Sequence, residues 1–397
     1  MRVSNFDLVV VGGGLASARA IKSFREAGGE GSIALVSKDA TLPYHRPPLS
    51  KKFLRGETDE EPLVEDEAFY AEHGVEVLLE TTVSAVDVRD RAVELDSRRI
   101  GYRRLLLATG AWPRRLRVPG GDLDGVLTLR TVGDSAAIRE AAARAQRAVV
   151  VGAGFIGMEV SASLRQIGKH VSLVHLSRWL FEQLGVEQLS DELAALYEAN
   201  GVDLVLGHEI EAFHGDGTLA AVTTKNGRRV EADLAVVGIG VEPVTDFLEG
   251  SGIELDNGIV VNDRFETNVH DVYAAGDVAN FFDPLFGRRR RIEHWSNANY
   301  QGTEVGKVLA GGDGGYDTIS RFFTEIFGTT INIFGDARRD SHVVVHGSLA
   351  DSMYVLYGDE KEEVIGALSV GQPEGIEELL KQQITAHAPI NEAVTLY

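Results

Sequence analysis

Residues 8–11 read Leu-Val-Val-Val and run directly into Gly12, Gly13 and Gly14. A short unbroken apolar run predicts a strand covered on both faces, the kind found in parallel sheets. After the glycines the spacing changes: in "LASARAIKSFREAG" the apolar positions recur at helical intervals. The same order of valine-rich strand, glycine turn and amphipathic helix returns in "RAVVVGAGFIGMEVSASLRQIGKHVSLVHLSRWL". Further apolar strands are predicted in "LLLATG", "DLAVVGIG" and "DVYAAGD". Beyond these, "SHVVVHGS" and "SMYVLYGD" alternate as strands and "EGIEELLKQQIT" reads as a helix.

The glycines give two of these units a chemistry. Gly12 and Gly14 fill the first two places of G-x-G-x-x-G, with Ser17 in the third. Gly152, Gly154 and Gly157 complete the pattern in the second unit. The first glycine allows a tight turn, the second lets backbone approach a pyrophosphate, and a small third residue keeps helix and strand close. The candidates for one dinucleotide are therefore Gly12, Gly14, Leu15, Ala16 and Ser17, and for another Gly152, Gly154, Phe155, Ile156 and Gly157. The fold class expected is α/β, with two Rossmann-like dinucleotide-binding domains.

Composition narrows the chemistry further. The 397 residues contain no cysteine, which excludes a disulfide framework, Cys-ligated metal and a thiol nucleophile. Redox work must then run on a bound organic cofactor, and no metal site is expected. A net charge of −21 argues against nucleic-acid binding. No run of about 18 apolar residues suggests a membrane span, and "MRVSNFDLVVV" lacks the features of a signal peptide, so a cytoplasmic location is the expectation.

Seven motifs follow in order: the first glycine loop, Pro-Pro-Leu-Ser-Lys at 47–51, Ala108-Thr109-Gly110, the second glycine loop, Gly240-Val-Glu-Pro, Ala-Gly276-Asp277, and "EHWSNANYQG" from Glu293. Together they resemble the two-dinucleotide flavoprotein reductases, in particular the ferredoxin and rubredoxin reductases of bacterial oxygenase systems. Apoptosis-inducing factor and monodehydroascorbate reductase are related families. The resemblance implies a discontinuous FAD-binding domain at 1–112 and 241–315, an NAD(P)-binding domain at 113–240, and a C-terminal α+β domain at 316–397. It implies FAD as one cofactor and NADH or NADPH as the other.

Residue roles follow from the same resemblance. Asp277 accepts from the flavin ribityl chain, and Arg46 and Arg130 reach the flavin pyrophosphate. Asp39 is the candidate for the adenosine ribose, although the family's acidic position aligns best with Lys38. Disulfide reductases of this superfamily carry a Cys pair where this chain has residues 46–51, so the corner is a flavin wall without a dithiol relay. Ser50 and Lys51 are aimed at the ring, with Lys51 paired to Glu159; these two are the catalytic candidates. Phe155 shields the flavin face. Glu293, His294 and Trp295 start a helix facing the pyrimidine end, and Phe323 packs on the far side.

The activity implied is transfer of hydride from nicotinamide to flavin, then of single electrons to a ferredoxin-type iron–sulfur protein. Competing readings are a quinone or organic-radical reductase, a redox-sensing binding protein like apoptosis-inducing factor, and a flavin-free scaffold. A homodimer is left open. NADH enzymes place an acid at the end of the second strand of the nucleotide unit. Here the stretch offers His175, Ser177 and Arg178, which leans toward NADPH or dual use. Finally, Arg288–Arg291, extended by Arg114, Arg115 and Arg117, is a candidate patch for an acidic partner.

Overall fold

The computed structural model describes residues 4–96, 98–372 and 375–393. Chain contacts group into two units, each built from separate segments. One comprises Met1–His45, Glu61–Trp112 and Glu242–Thr318; the other comprises Arg46–Glu60, Pro113–Val241 and Ile319–Tyr397.

In the first unit, the strand Ser4–Val11 lies parallel to Ile33–Val36 on one side and to Arg99–Leu107 on the other. Val75–Leu78 extends the sheet beyond Ile33–Val36, and Val272–Ala274 joins it alongside Arg99–Leu107. Ala92–Leu95 and Val83–Asp87 continue it antiparallel. Residues 8–11 and 33–36 are buried throughout, as expected of strands covered on both faces. The helix Leu15–Glu26 buries Ala16, Ala20, Ser23 and Phe24. Gly302 and Gly306 of the helix Trp295–Leu309 meet that face: a Cβ at Gly302 would lie 2.5 Å from the Ala16 carbonyl oxygen, and one at Gly306 would lie 2.6 Å from that of Ala20. Backbone thus rests on backbone, and Ser23 donates a hydrogen bond to the Thr303 carbonyl at 2.7 Å.

The second unit repeats the plan. Val202–Leu206, His170–His175, Arg147–Val151, Leu234–Val237 and Val126–Leu127 form a parallel sheet in that order. The strand order runs outward from the central glycine-bearing strand, which puts both glycine loops at the carboxyl ends of their sheets, where nucleotides bind in such folds. Residues 319–393 add a five-stranded antiparallel sheet that includes Arg321–Ile326 and the hairpin His342–Ser348 with Ser352–Gly358. The helix Ile376–Thr385 buries Leu380 and Ile384. Among the described residues, no helix is long and apolar enough to cross a membrane.

Candidate functional site

Both glycine loops are shaped as open cradles. Gly12 has φ +119°, and a Cβ there would lie 2.2 Å from the Ala108 carbonyl oxygen. Gly152 has φ +105° and meets the Gly238 carbonyl oxygen at the same distance, while a Cβ at Gly157 would strike the Gly152 carbonyl oxygen at 1.9 Å. By contrast, nothing lies within 4 Å of a Cβ at Gly14 or Gly154. Those two residues start the helices Leu15–Glu26 and Phe155–Gln166, and neither helix has a side-chain cap or an acid in its first turn. Uncapped N–H groups at the positive end of a helix are suited to an anionic phosphate. The contrast within the chain is Val132–Arg144, which Thr131 and Asp134 close with a reciprocal capping box. The buried hydroxyl of Ser17 has no hydrogen-bond partner among the described residues. Two dinucleotides therefore fit, one per unit.

In the first unit, Gly276 donates its N–H to Gln301 Oε1 at 2.8 Å, and the neighbouring Asp277 is half-buried. Thr109 donates to the Val244 carbonyl at 2.8 Å, and Gly110 turns with φ +70°. Tyr44 donates to one oxygen of the half-buried Asp39 carboxylate at 2.7 Å. Lys38 lies over the Trp112 ring at 5.6 Å. His294 is the N-cap residue of Trp295–Leu309, and Trp295 donates its indole N–H to His45 Nδ1 at 2.9 Å.

Burial pushes the imidazole of His294 down to about 4, against the pull of Asp277 and helped by Arg290. The folded value lies below the ordinary 6.5, so the unfolded chain binds more protons between the two. Stability is then lost as pH falls from about 6.5 to about 4. The fall in melting temperature across that window is expected to be smaller in His294→Gln than in the parent. Equal falls would show that the ring's protonation does not load the fold.

The arginine run is exposed only in part: Arg289 is exposed, Arg288 and Arg291 are half-buried and Arg290 is buried. Arg288–Arg290 is a strand paired with Ala279–Asp283, so its side chains alternate. Arg290 is turned inward and donates to Asp283 at 2.8 Å with both side chains buried. Arg289 donates to the carbonyls of Val261 and Asn280, and Arg291 pairs with Glu293 and donates to the Asp277 carbonyl. In the second unit, Arg114, Arg115 and Arg117 are exposed, and Arg114 donates its N–H to the Gly240 carbonyl.

The second unit holds a buried polar cluster. Pro47–Ser50 forms one tight turn of helix, with Arg46 as its N-cap residue, and prolines at its start fix φ without giving up a needed N–H. The turn is pinned from two helices: Ser135 donates to the Leu49 carbonyl at 2.7 Å, and Ser163 to that of Ser50 at 2.6 Å. Lys51 Nζ then lies 2.6 Å from Glu159 Oε2. Ser50 donates to the same oxygen at 2.5 Å, and Thr324 donates to Oε1 at 2.8 Å. Glu159 is only 5% exposed, so the carboxylate is held by one cation and two hydroxyls in a site largely closed to water.

Sequence reasoning missed Thr324. Its strand, Arg321–Ile326, alternates, so Phe322 and Thr324 share a face and Phe323 lies on the other, 48% exposed. Phe322 meets Phe155 edge-on at 4.8 Å, and Phe181 lies 5.0 Å from Phe155 on another side. Arg130, at the end of a loop into Val132–Arg144, donates its N–H to Asp134. His175 ends the strand His170–His175, whereas the Ser177 hydroxyl is engaged by the Trp179 N–H and Arg178 is exposed with its stem along Gly207. Among the described residues, no cluster of histidine and acidic side chains could hold a metal ion.

A family model described as pyridine nucleotide-disulphide oxidoreductase matches residues 6–302. Human apoptosis-inducing factor 3 is 35% identical over 92% of the chain, which spans 61% of that protein's length. The biphenyl dioxygenase system ferredoxin–NAD(+) reductase component of Paraburkholderia xenovorans is 35% identical over 86% of this chain and 83% of its own. Among solved structures, the reductase of a covalent putidaredoxin reductase–putidaredoxin complex matches with a TM-score of 0.91 and 32% identity, over 97% of this chain and 94% of that one.

Proposed function

The chain belongs to the pyridine nucleotide-disulphide oxidoreductase family, and from that premise we propose that it is an FAD-dependent reductase coupling NAD(H) to a ferredoxin-type acceptor. The net reaction is NADH plus two oxidised one-electron acceptors giving NAD+, two reduced acceptors and one proton. The observation that carries it is the pair of open glycine cradles in a chain with no cysteine. Two dinucleotides have places to bind, and no protein dithiol stands between them and an external acceptor.

Bound FAD supplies the exchange between hydride transfer and single-electron release. Gly12, Gly14 and the amides of the first helix hold its pyrophosphate, and Asp277 holds its ribityl chain. Arg46 and Arg130 are further pyrophosphate candidates. Gly152, Gly154 and the helix they start hold the nicotinamide dinucleotide. Lys51 and Glu159 serve the reductive step: a cation fixed by a buried carboxylate stabilises negative charge as it develops. The C-terminal residues 316–397 are proposed as a domain of their own, following the discontinuous flavin domain. Relatives named for ferredoxin and for NAD(+) support this reading, and a cytoplasmic location belongs to the same proposal.

The test is anaerobic turnover of the purified yellow protein with NADH against ferredoxins, rubredoxin, quinones and oxygen. Ferredoxin reduction well above the rest is expected. Quinone turnover without ferredoxin turnover would favour the organic-acceptor alternative. Slow turnover with nicotinamide-dependent dimerisation would favour a binding role. Arg290 is buried against Asp283, and the guanidinium groups of Arg289 and Arg291 are tied to carbonyls of their own unit, so the exposed Arg115 and Arg117 are the better candidates for an acidic partner, although Arg289 is exposed as well. Arg115→Glu is expected to raise the acceptor KM several-fold at low salt, with NADH reduction of the flavin unchanged. An unchanged KM would move the docking surface elsewhere.

A further inference from the structure

The middle residue of the second glycine loop, Ala153, is held from both sides by the segment that follows the second strand. Its N–H donates to His175 Nδ1 at 3.3 Å, and its carbonyl accepts from the Phe181 N–H at 3.1 Å. A ring nitrogen that accepts a hydrogen bond does not carry the proton, so neutral His175 carries it on Nε2. Burial pushes the imidazole below its ordinary value, which favours the neutral form. Yet Nε2 is buried and has no hydrogen-bond partner among the described residues. A buried donor left in this way asks for an explanation.

The nearest acid is Glu182, whose Oε2 lies 4.0 Å from Nε2. That is about 1 Å beyond a hydrogen bond. Glu182 follows Phe181, a buried residue held at φ +48°. Its other oxygen pairs with Arg339. The loop around Arg339 in turn lies against Gly185, where a Cβ would meet the Arg339 carbonyl oxygen at 2.5 Å. The carboxylate is therefore held from the C-terminal sheet region, through an arginine whose own backbone packs on the same turn.

We propose that His175 and Glu182 together read the adenosine ribose of the nicotinamide dinucleotide, and that they select the unphosphorylated 2′-hydroxyl. The acid that dinucleotide folds commonly place at the end of the second strand is supplied here by the following turn. A hydroxyl can accept from His175 Nε2–H and donate to Glu182, which completes both. A 2′-phosphate can accept from the ring but has no proton for the carboxylate and meets its charge, so the site discriminates by repulsion as well as by fit. The sequence lean toward NADPH, drawn from His175, Ser177 and Arg178, is replaced by selection for NADH. Ser177 is already engaged by Trp179, and the guanidinium of Arg339 by Glu182.

This inference rests on the reading of the second unit as a nicotinamide site, so its test uses binding alone. The full chain is titrated calorimetrically with ADP-ribose and with 2′-phospho-ADP-ribose. The parent is expected to bind ADP-ribose at least about tenfold tighter. In Glu182→Gln the ratio is expected to fall to about threefold or less, chiefly because the phosphorylated ligand binds better, and Glu182→Asp should restore part of it. His175→Ala is expected to weaken ADP-ribose about tenfold and the phosphorylated ligand less, since both accept from the ring but repulsion by Glu182 already keeps the phosphate from seating fully. It keeps the test decisive if Glu182→Gln loses its tie to Arg339 and misfolds. Equal affinities in the parent, a ratio unchanged in both variants, or no binding of either ligand would overturn the assignment. Selective binding without ferredoxin turnover would instead overturn the functional reading and leave this one standing.

Discussion

Replacing Lys51 by alanine is expected to slow reduction of the bound flavin by NADH roughly tenfold to a thousandfold, the range that one lost electrostatic contact commonly causes. The flavin midpoint potential should fall with it, while FAD content stays near that of the parent. The cluster around Glu159 is the reason for expecting so large an effect. The lysine and the carboxylate are 12% and 6% exposed at their side chains and 2.6 Å apart. Solvent cannot replace what either loses. Removing one partner of a buried pair also destabilises, by about 3–5 kcal/mol, because it leaves the other charge uncompensated. The double variant Lys51→Ala/Glu159→Ala should therefore lose less than the sum of the singles in both rate and stability. Thr324→Ala should lower the rate modestly, with rescue by Thr324→Ser, since only the hydroxyl reaches Oε1. Anaerobic stopped-flow reduction across the five variants gives the answer. Parent rates in Lys51→Ala would reduce the cluster to a wall, and strictly additive losses would show that its members act separately.

Gly302→Val is expected to leave the protein colourless and poorly folded. A Cβ at residue 302 lies 2.5 Å from the Ala16 carbonyl oxygen and 2.9 Å from both Ala16 Cα and Arg19 Cβ. Those are mainly backbone atoms of a helix held against the sheet, so they cannot turn aside as a flexible side chain would. A branched side chain there should cost about 3 kcal/mol or more. That corresponds to a fall in melting temperature of about 6–12 °C for a unit of this size. Gly14→Ala provides the contrast. Gly14 has φ −102° and open space where its Cβ would project. That variant should fold and melt normally but take up FAD weakly. Flavin-to-protein absorbance and calorimetry distinguish the two. A Gly302→Val protein that melts normally would refute the backbone contact, and full FAD uptake by Gly14→Ala would refute the cradle.

Local pattern carries far in this chain, and its failures have physical causes. The strands at residues 8–11 and 148–151 and the two glycine turns are legible because apolar runs and glycine spacing encode them directly. The pairing of Lys51 with Glu159 is legible only through resemblance, since no local pattern links residues so far apart in sequence. Thr324 is illegible for the same reason: a threonine in an alternating strand gives no sign that it will meet a carboxylate on a distant helix. Two adjacent aromatics, Phe322 and Phe323, are equivalent as letters, and only strand register decides which one meets Phe155. The arginine run misleads at Arg290, because composition suggests solvent throughout. Alternation turns Arg290 toward Asp283, which is buried and needs a cation. That Tyr44 donates to one oxygen of Asp39 is likewise not announced by a spacing of five residues in a loop.

The first unit is assembled from pieces that leave the ribosome far apart in time. Its central strand and glycine turn are made before Pro113–Val241. The strand Val272–Ala274, which completes the parallel sheet, and the helix that covers Leu15–Glu26 come after the whole of Pro113–Val241. That intervening stretch is contiguous, with its own glycine turn and sheet, and so is able to fold as soon as it emerges. During synthesis the apolar face formed by Ala16, Ala20 and Phe24 must wait uncovered. A nascent chain stalled before residue 272 is then a natural client for a chaperone or a protease. Rare codons, truncations or slow elongation between the two halves of the first unit should lower its yield more than the same changes placed near the C-terminus.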